Sequence, residues 1–198
     1  MALVVIVGGI DLSVGSMFAL CDFCALFCLN VLDWPVPAVI AATLLCGAML
    51  GAVNGLLIGY LRLRAFITTL ITLIIYRSAY DLLLFDYSNK IAAAFPDIPS
   101  WNFWAAAAIV ACRALCWPIS LSRVFGHVFL TRLRPGWHVT AIGGSRRSAY
   151  NSGIPVRRTI ALCYTASGVL TAIGALFFAA RLGHRRRRRR RRPRSHRA

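Results

Sequence analysis

An acidic residue stands inside a glycine-rich break of an otherwise apolar stretch near the start of the chain. Residues 8–16 read Gly-Gly-Ile-Asp-Leu-Ser-Val-Gly-Ser, within the run Leu3–Leu29. Glycine weakens a helix by about 1 kcal/mol relative to alanine, whereas side-chain oxygens of Asp11 and Ser13 can accept hydrogen bonds from a helix start. The pattern predicts a helix end, a turn and a new helix start. It is either a loop before the first helix or a broken membrane helix, a feature that often marks a transport pathway.

Other residue types that could do chemistry do not form a recognisable site in the sequence. The seven cysteines lack the matching second half of a metal-ligand pattern, so we interpret them as small apolar residues inside helices. The four histidines lack metal-ligand spacing and lie outside the acidic regions, which disfavours a catalytic triad. No Gly-x-x-x-x-Gly-Lys-Ser/Thr stretch offers a nucleotide site. The sequence therefore favours a protein that is not an enzyme and has no metal or cofactor of its own.

Composition predicts an all-α, polytopic integral membrane protein. The 198 residues are 59% hydrophobic, whereas about half is typical of soluble domains. A helix needs about 20 predominantly apolar residues to span a bilayer. The stretches that fit are Leu3–Leu29, Val36–Ile58, Ala65–Phe85, Trp101–Ser120 and Thr159–Ala180. We therefore expect about five transmembrane helices in one domain, residues 1–182.

Two spacings inside these stretches indicate how the helices pack. Small residues recur at every fourth position of the second stretch, either by chance or as a ridge that lets another helix approach closely. The residues of this glycine ridge are Gly47, Gly51, Gly55 and Gly59. In the third stretch, Arg77 and Asp81 are four residues apart and could pair on one helix face.

Charge is distributed unevenly along the chain. The formal net charge is +17, from 23 Lys and Arg against 6 Asp and Glu. The stretch Arg123–Arg158 is basic and contains no carboxylate, so the positive-inside rule places it in the cytoplasm. Alternating spans then place the Arg62–Arg64 loop inside, and Asp33–Pro35 and the loop Asp86–Ser100 outside. The same alternation would place the C-terminal tail outside, against the rule.

The last residues, 183–198, form a low-complexity tail that we expect to be disordered. Arginine runs without interruption from Arg185 to Arg192. Such a run attracts nucleic acid and anionic lipid, but no aromatic interleaving or motif indicates a specific nucleic-acid site. The conflict over orientation leaves two interpretations. Either the fifth span does not cross the membrane as predicted, or the tail is not a native part of this fold, for example because the reading frame shifted near Gly183.

Four stretches occur in a fixed order between residues 8 and 182. They are the break at 8–16, Gly-Ala-Val-Asn-Gly-Leu-Leu-Ile at 51–58, Ala-Phe-Ile-Thr-Thr-Leu at 65–70 with Tyr-Arg at 76–77, and Ala-Ile-Gly-Gly at 141–144 followed by Ser-Gly-Ile at 152–154, Tyr164 and Ser167-Gly168. Together they resemble the membrane permease subunit of bacterial ABC importers for simple sugars, of the ribose, xylose, arabinose and galactose type. In order, they are similar to its signature, its Gly-x-x-Asn-Gly helix, its Phe-Ile-x-Thr-Leu helix, and its large cytoplasmic loop with the helix after it.

The resemblance implies a function, partners and site residues. Such permeases pair in the bacterial inner membrane, as homodimers or pseudo-dimers, and enclose the sugar path. A periplasmic sugar-binding protein docks outside, and a cytoplasmic ATPase, which binds the ATP, docks inside. The residues expected near the pathway or its helix packing are Gly8, Gly9, Asp11, Ser13, Ser16 and Asn54. The residues expected in the ATPase-coupling loop are Gly143, Gly144, Ser145, Ala149, Ser152, Gly153 and Ile154.

The sequence departs from the family pattern near the expected coupling loop. Ser145 stands where the family has asparagine, and Arg146 and Arg147 follow it. The segment Leu133–Trp137 carries one extra residue in place of a tight Gly-Arg turn. The family also has more crossings than the five predicted here, so we expect a fragment truncated at both ends, in which the glycine ridge lacks a partner.

Two alternatives to a sugar permease stay open on the sequence. The chain could be a non-transporting, basic membrane-associated protein whose active part is the tail. It could also belong to the sister class of ABC permeases for branched-chain amino acids, although the intact signature resembles the sugar class.

Overall fold

The computed structural model describes residues 1–93 and 126–191, which contain helices and no strand. The helices are α1 (Ala2–Ile6), α2 (Val14–Asn30), α3 (Val36–Gly59), α4 (Ala65–Ala93), α5 (Arg134–Gly144), α6 (Arg146–Asn151) and α7 (Val156–Arg191). Residues 126–132 are also helical and lead into α5. The predicted span Trp101–Ser120 lies outside the described residues.

Three of these helices are long and apolar enough to cross a membrane. The segments concerned are Val36–Gly59, Ala65–Tyr87 and Val156–Ala180. The helix α2 is apolar but has only 17 residues, because the glycine-rich break separates it from the five residues of α1. This arrangement confirms the predicted all-α, multi-pass architecture, with the first predicted span divided into two helices.

Two helices extend beyond their predicted ends. The prediction of a loop from Asp86 is wrong for residues 86–93. The helix α4 continues through them, since no proline interrupts the chain before Pro96. The helix α7 continues to Arg191, so the backbone is helical where disorder was expected from Gly183. Arginine is a good helix former, and extending an existing helix avoids the cost of nucleation. The boundary at residue 182 stays a prediction, and residues 192–198 lie outside the described part.

The glycine ridge of α3 packs directly against α7. A Cβ atom added at any of its four glycines would lie 2.6–2.7 Å from a carbonyl oxygen of α7. On the facing side, a Cβ at Gly168 would collide with the carbonyl of Gly47 and lie 3.0 Å from the Cα of Gly51. Only glycine permits this backbone approach, which maximises van der Waals contact between helices. The predicted ridge is confirmed, and the expectation that it lacks a partner is wrong.

The basic segments gather at one end of the helix bundle. Arg62, Arg146 and Arg157 line a single pocket, so residues 60–64, the α5–α6 hairpin and the first turn of α7 lie together. We call this the basic end. At the opposite end, Val36 packs in one cluster with Ala179 and Ala180 of α7. The arginine run of α7 therefore leaves the bundle at the end opposite the other basic segments.

The pair Arg77 and Asp81 forms the predicted contact on α4. The guanidinium Nε lies 3.6 Å from a carboxylate oxygen, and both side chains are more than half exposed in the described structure. An exposed pair of this kind contributes little to stability.

Candidate functional site

The break begins where α1 ends on a glycine. Gly8 has a φ of +77°, a left-handed conformation that glycine adopts without strain. The amide of Gly8 donates to the carbonyl of Val5, and the amide of Gly9 donates to the carbonyl of Val4. These two bonds satisfy carbonyls that the helix end would leave free. The Gly-Gly pair therefore stops α1 and turns the chain towards Asp11.

A buried chain of hydrogen bonds joins the break to α3. The amide and the hydroxyl of Ser13 both donate to Oδ1 of Asp11, at 3.1 and 2.7 Å. The side-chain amide of Asn54 donates to the Ser13 hydroxyl at 2.8 Å. All three side chains are almost completely buried. We call Asp11, Ser13 and Asn54 the polar triad, and it fixes the turn to the neighbouring helix.

The triad corrects one detail of the sequence analysis. Ser13 does occupy the N-cap position of α2, but its hydroxyl does not accept a hydrogen bond from that helix. It serves as a relay between Asp11 and Asn54 instead. Ser16, which is also buried, donates its hydroxyl to the carbonyl of Ser13.

Helices α4 and α7 close around the break. The hydroxyl of Thr69 donates to the carbonyl of Ile10 at 3.2 Å. A Cβ added at Gly9 would lie 2.5 Å from the hydroxyl of Tyr164. Among the described residues, that hydroxyl, Oδ2 of Asp11 and Oδ1 of Asn54 have no hydrogen-bond partner. Polar atoms of this kind, buried beside an irregular backbone in a membrane helix, are characteristic of functional sites.

The α5–α6 hairpin is capped at the residues that the resemblance selected. Ser145 is the N-cap of α6, and its hydroxyl accepts a hydrogen bond from the amide of Ser148. Serine is a good N-cap, so Ser145, which stands where the resemblance expects asparagine, fills this position. Gly153, with a φ of +77°, ends α6, and the amide of Ile154 donates to the carbonyl of Ala149.

This hairpin contacts α1 directly. Arg146 donates from Nη2 to the carbonyl of Val7 at 3.0 Å, which satisfies another free carbonyl beside the break. A Cβ added at Gly143 would collide with the carbonyl of Ile6, whereas one added at Gly144 would meet nothing within 4 Å. Ile142 and Ala149 bury their side chains in the cluster that includes Val4. The structure thus brings the predicted coupling loop against the helix that carries the break.

Some residues of this site were not selected as site residues from the sequence. Arg146 appeared there only as a departure from the family pattern, and Thr69 and Tyr164 only as parts of motifs. A polar side chain inside an apolar span is the signal that could have found Thr69 and Tyr164. The contact of Arg146 with Val7 joins residues 139 positions apart and has no local signal.

The cysteines that the structure describes lie within helices, as predicted. Cys21, Cys24, Cys28, Cys46 and Cys163 are free thiols within helices. In residues 1–93 and 126–191, no group of three His, Cys, Asp or Glu side chains could hold a metal ion.

Comparison with known proteins identifies the family. The family described as "Branched-chain amino acid transport system / permease component" matches residues 1–188. The chain belongs to this family. The match includes the break, the polar triad and the α5–α6 hairpin, and together with the apolar helices it makes the chain a multi-pass membrane protein.

Several individual relatives are named as sugar import permeases, and others as autoinducer 2 import permeases. The chain is 33% identical to the fructose import permease protein of Bifidobacterium longum, over 92% of this chain and 55% of that protein. It is 35% identical to the D-allose transport system permease protein of Escherichia coli, over 90% of this chain and 53% of that protein. It is 28% identical to the ribose import permease protein of Haemophilus influenzae, over 92% of this chain and 56% of that protein. The chain spans about half the length of these curated relatives, and no solved structure matches it.

These matches confirm the resemblance to sugar permeases stated from the motifs. They do not favour the basic membrane-associated protein, since residues 1–188 match a permease family. The family description itself names branched-chain amino acid transport, but the relatives named above are sugar import permeases according to their names, and these do not favour the branched-chain amino acid class.

Proposed function

We propose that this chain supplies part of the translocation unit of an ATP-driven importer for monosaccharides. The observation that carries the proposal is the direct contact between the α5–α6 hairpin and the broken helix. Arg146 bonds to Val7 and Gly143 packs on Ile6, within a few residues of Asp11. An importer needs such a connection, because ATP is hydrolysed by a separate subunit while the sugar crosses between the membrane helices.

The hairpin is suited to transmit motion as a rigid body. Hydrogen bonds close both ends of α6, and Ile142 and Ala149 anchor the hairpin in the apolar cluster. A displacement of the hairpin would therefore act on the end of α1. The glycines of the break allow the backbone to change direction there. The hydrogen bonds of the polar triad define one conformation of the turn, from which it could switch to another and back during transport.

We assign the triad to the wall of the pathway and not to the first contact with sugar. Carboxylate and amide groups are common partners of sugar hydroxyls, but Asp11 and Asn54 are buried in this conformation. Their unpartnered oxygen atoms would become available to a substrate only if α1 and α2 moved apart. The names of the relatives support a monosaccharide or a similar small polar molecule as the substrate.

The basic end is the side we assign to the cytoplasm of a bacterial inner membrane. The positive-inside rule supports this orientation, since Arg62, Arg146 and Arg157 all lie there. The exposed face of the hairpin, with Trp137 and Tyr150 at 65% and 69% exposure, would receive the ATPase. A sugar-binding protein would dock at the opposite end, and a second permease copy would complete the pathway.

Charge reversal on the hairpin tests this assignment. Arg147→Glu is expected to reduce capture of the co-expressed importer ATPase by affinity-tagged chain at least tenfold. Charge complementarity would pair the basic hairpin with an acidic ATPase surface, and a carboxylate facing such a surface costs several kcal/mol. The measurement is the ratio of ATPase to chain after purification in detergent.

Arg132→Glu is the matched control, since Arg132 is also exposed but lies in the segment 126–132, before the hairpin. Its capture ratio should stay within about threefold of the unmodified chain. Equal losses for both variants would remove the support for the hairpin as the docking element.

A further inference from the structure

A pocket of about 250 Å³ opens at the basic end between α3, α6 and α7. Ile58 and Ile160, both buried, belong to its lining. Arg62, Arg146 and Arg157 line it as well, and they are exposed. Within the described residues, the only ion pair is the one between Arg77 and Asp81. None of the three pocket arginines is therefore paired with a carboxylate there. The pocket therefore concentrates positive charge that the described part of the chain does not neutralise.

Two further features favour an anion in this pocket. The helix α7 begins at Val156, and its first turn places the positive end of a long helix dipole beside the pocket. Arg146 uses one N–H group on the carbonyl of Val7, and a guanidinium has five such donors. Arg146 can therefore hold the break and still contribute to an anion site, where guanidinium groups bind phosphate oxygens in pairs.

An apolar groove begins beside this pocket. It has a volume of about 450 Å³ and follows one face of α4 past Ile67, Ile71 and Ile75, with Leu57 of α3 opposite. Leu63 lines both the groove and the basic pocket. Pocket and groove thus meet at Leu63, and together they present a surface that is basic at the end of the membrane-spanning helices and apolar along them.

We propose that this surface binds one anionic phospholipid, with its phosphate headgroup in the basic pocket and an acyl chain in the groove. The pocket lies at Gly59, where the apolar span of α3 ends, which is the level at which a membrane places its phosphates. Basic pockets between helices at this level are suited to acidic headgroups. The adjoining groove selects a lipid over a soluble phosphate, because only the lipid covers both parts of the surface.

Native mass spectrometry of the full chain in detergent tests the proposal. Dioleoyl-phosphatidylglycerol is expected to bind at least about tenfold more tightly than dioleoyl-phosphatidylcholine, which has the same acyl chains. Dihexanoyl-phosphatidylglycerol, which keeps the headgroup but shortens the chains, is expected to bind at least about tenfold more weakly than the dioleoyl form. Glycerol 3-phosphate should not displace the long-chain lipid.

Neighbouring arginines provide the matched variants. Arg62→Gln/Arg157→Gln is expected to lower the affinity for dioleoyl-phosphatidylglycerol roughly tenfold or more. Arg147→Gln/Arg158→Gln removes the same charge at positions outside the pocket lining, and should change it less than about threefold. The charge-preserving Arg62→Lys/Arg157→Lys variant keeps the preference, which separates loss of charge from misfolding.

Any of four results would overturn the proposal. Equal losses in the two glutamine variants would mean that the basic end attracts anions without a defined site. Displacement by glycerol 3-phosphate, or equal binding of the short-chain lipid, would indicate a site for soluble phosphate. Equal affinity for the zwitterionic and anionic lipids would show that the arginines do not select the headgroup.

Discussion

Gly51→Leu is expected to separate α3 from α7 and to lower the melting temperature of the purified chain by about 6–12 °C. A Cβ at this position would lie 2.6 Å from the carbonyl oxygen of Tyr164 and 3.1 Å from the Cα atoms of Thr165 and Gly168. These obstacles are backbone atoms, which cannot rotate away. Overpacking usually costs 1–3 kcal/mol, and we expect the upper end, about 3 kcal/mol, which corresponds to this temperature shift for a chain of this size.

Gly15→Leu is the control for the same chemical change. A Cβ at Gly15 of α2 meets nothing within 4 Å, so the leucine has room. The melting temperature should stay within about 2 °C of the unmodified chain, because leucine is the better helix former. Equal melting temperatures for the two variants would contradict the close packing of the glycine ridge on α7.

Asp11→Ala should destabilise the chain by about 2–3 kcal/mol, since it removes the acceptor of two hydrogen bonds inside the protein. Both the amide and the hydroxyl of Ser13 would be left buried without that partner, and each such group costs about 1–3 kcal/mol. Denaturant unfolding of the detergent-solubilised chain, followed by tryptophan fluorescence, measures the loss.

Asp11→Asn separates the hydrogen bonds from the charge. The amide keeps a carbonyl oxygen in the place of Oδ1 and puts its NH₂ group where the unpartnered Oδ2 lies. We expect this variant to lie within about 1 kcal/mol of the unmodified chain. A loss as large as that of Asp11→Ala would mean that the negative charge, and not the hydrogen-bonded turn, stabilises the break.

The sequence was sufficient to predict features that depend on local pattern. Apolar length located α3 and α7, and the glycine spacing indicated the face on which α3 packs. The paired glycines and Asp11 predicted a helix end and a new start, which the structure confirms with the left-handed Gly8. In each case the signal lies within a few residues, because it arises from helix periodicity or from the backbone preference of glycine.

Features that depend on tertiary contact were not predictable in the same way. The relay through Ser13 requires Asn54, which is 41 positions away, and without that partner the hydroxyl would be expected to cap α2. The continuation of α4 to Ala93 runs against polar residues that suggested a loop. From the sequence, Arg146 was only a departure from the family pattern, whereas in the structure its bond to Val7 links the α5–α6 hairpin to the break.

The arginine tail lies at the wrong end of the bundle for the positive-inside rule. It continues α7 as a helix to Arg191 and leaves the bundle at the end opposite Arg62 and Arg157. If those two arginines are cytoplasmic, the tail is on the other side of the membrane, against the rule. The permease fold and the arginine run favour opposite placements of the end of α7.

Photo-crosslinking from α6 measures whether the α5–α6 hairpin receives the importer ATPase, as we propose. A benzophenone amino acid replaces Tyr150, which is 69% exposed at the basic end, or Phe85, which is 87% exposed on α4 towards the other end. After irradiation of membranes that contain both proteins, we expect a covalent adduct with the ATPase from position 150 and none from position 85. No adduct from position 150, or equal adducts from both positions, would overturn the assignment of the hairpin as the docking element.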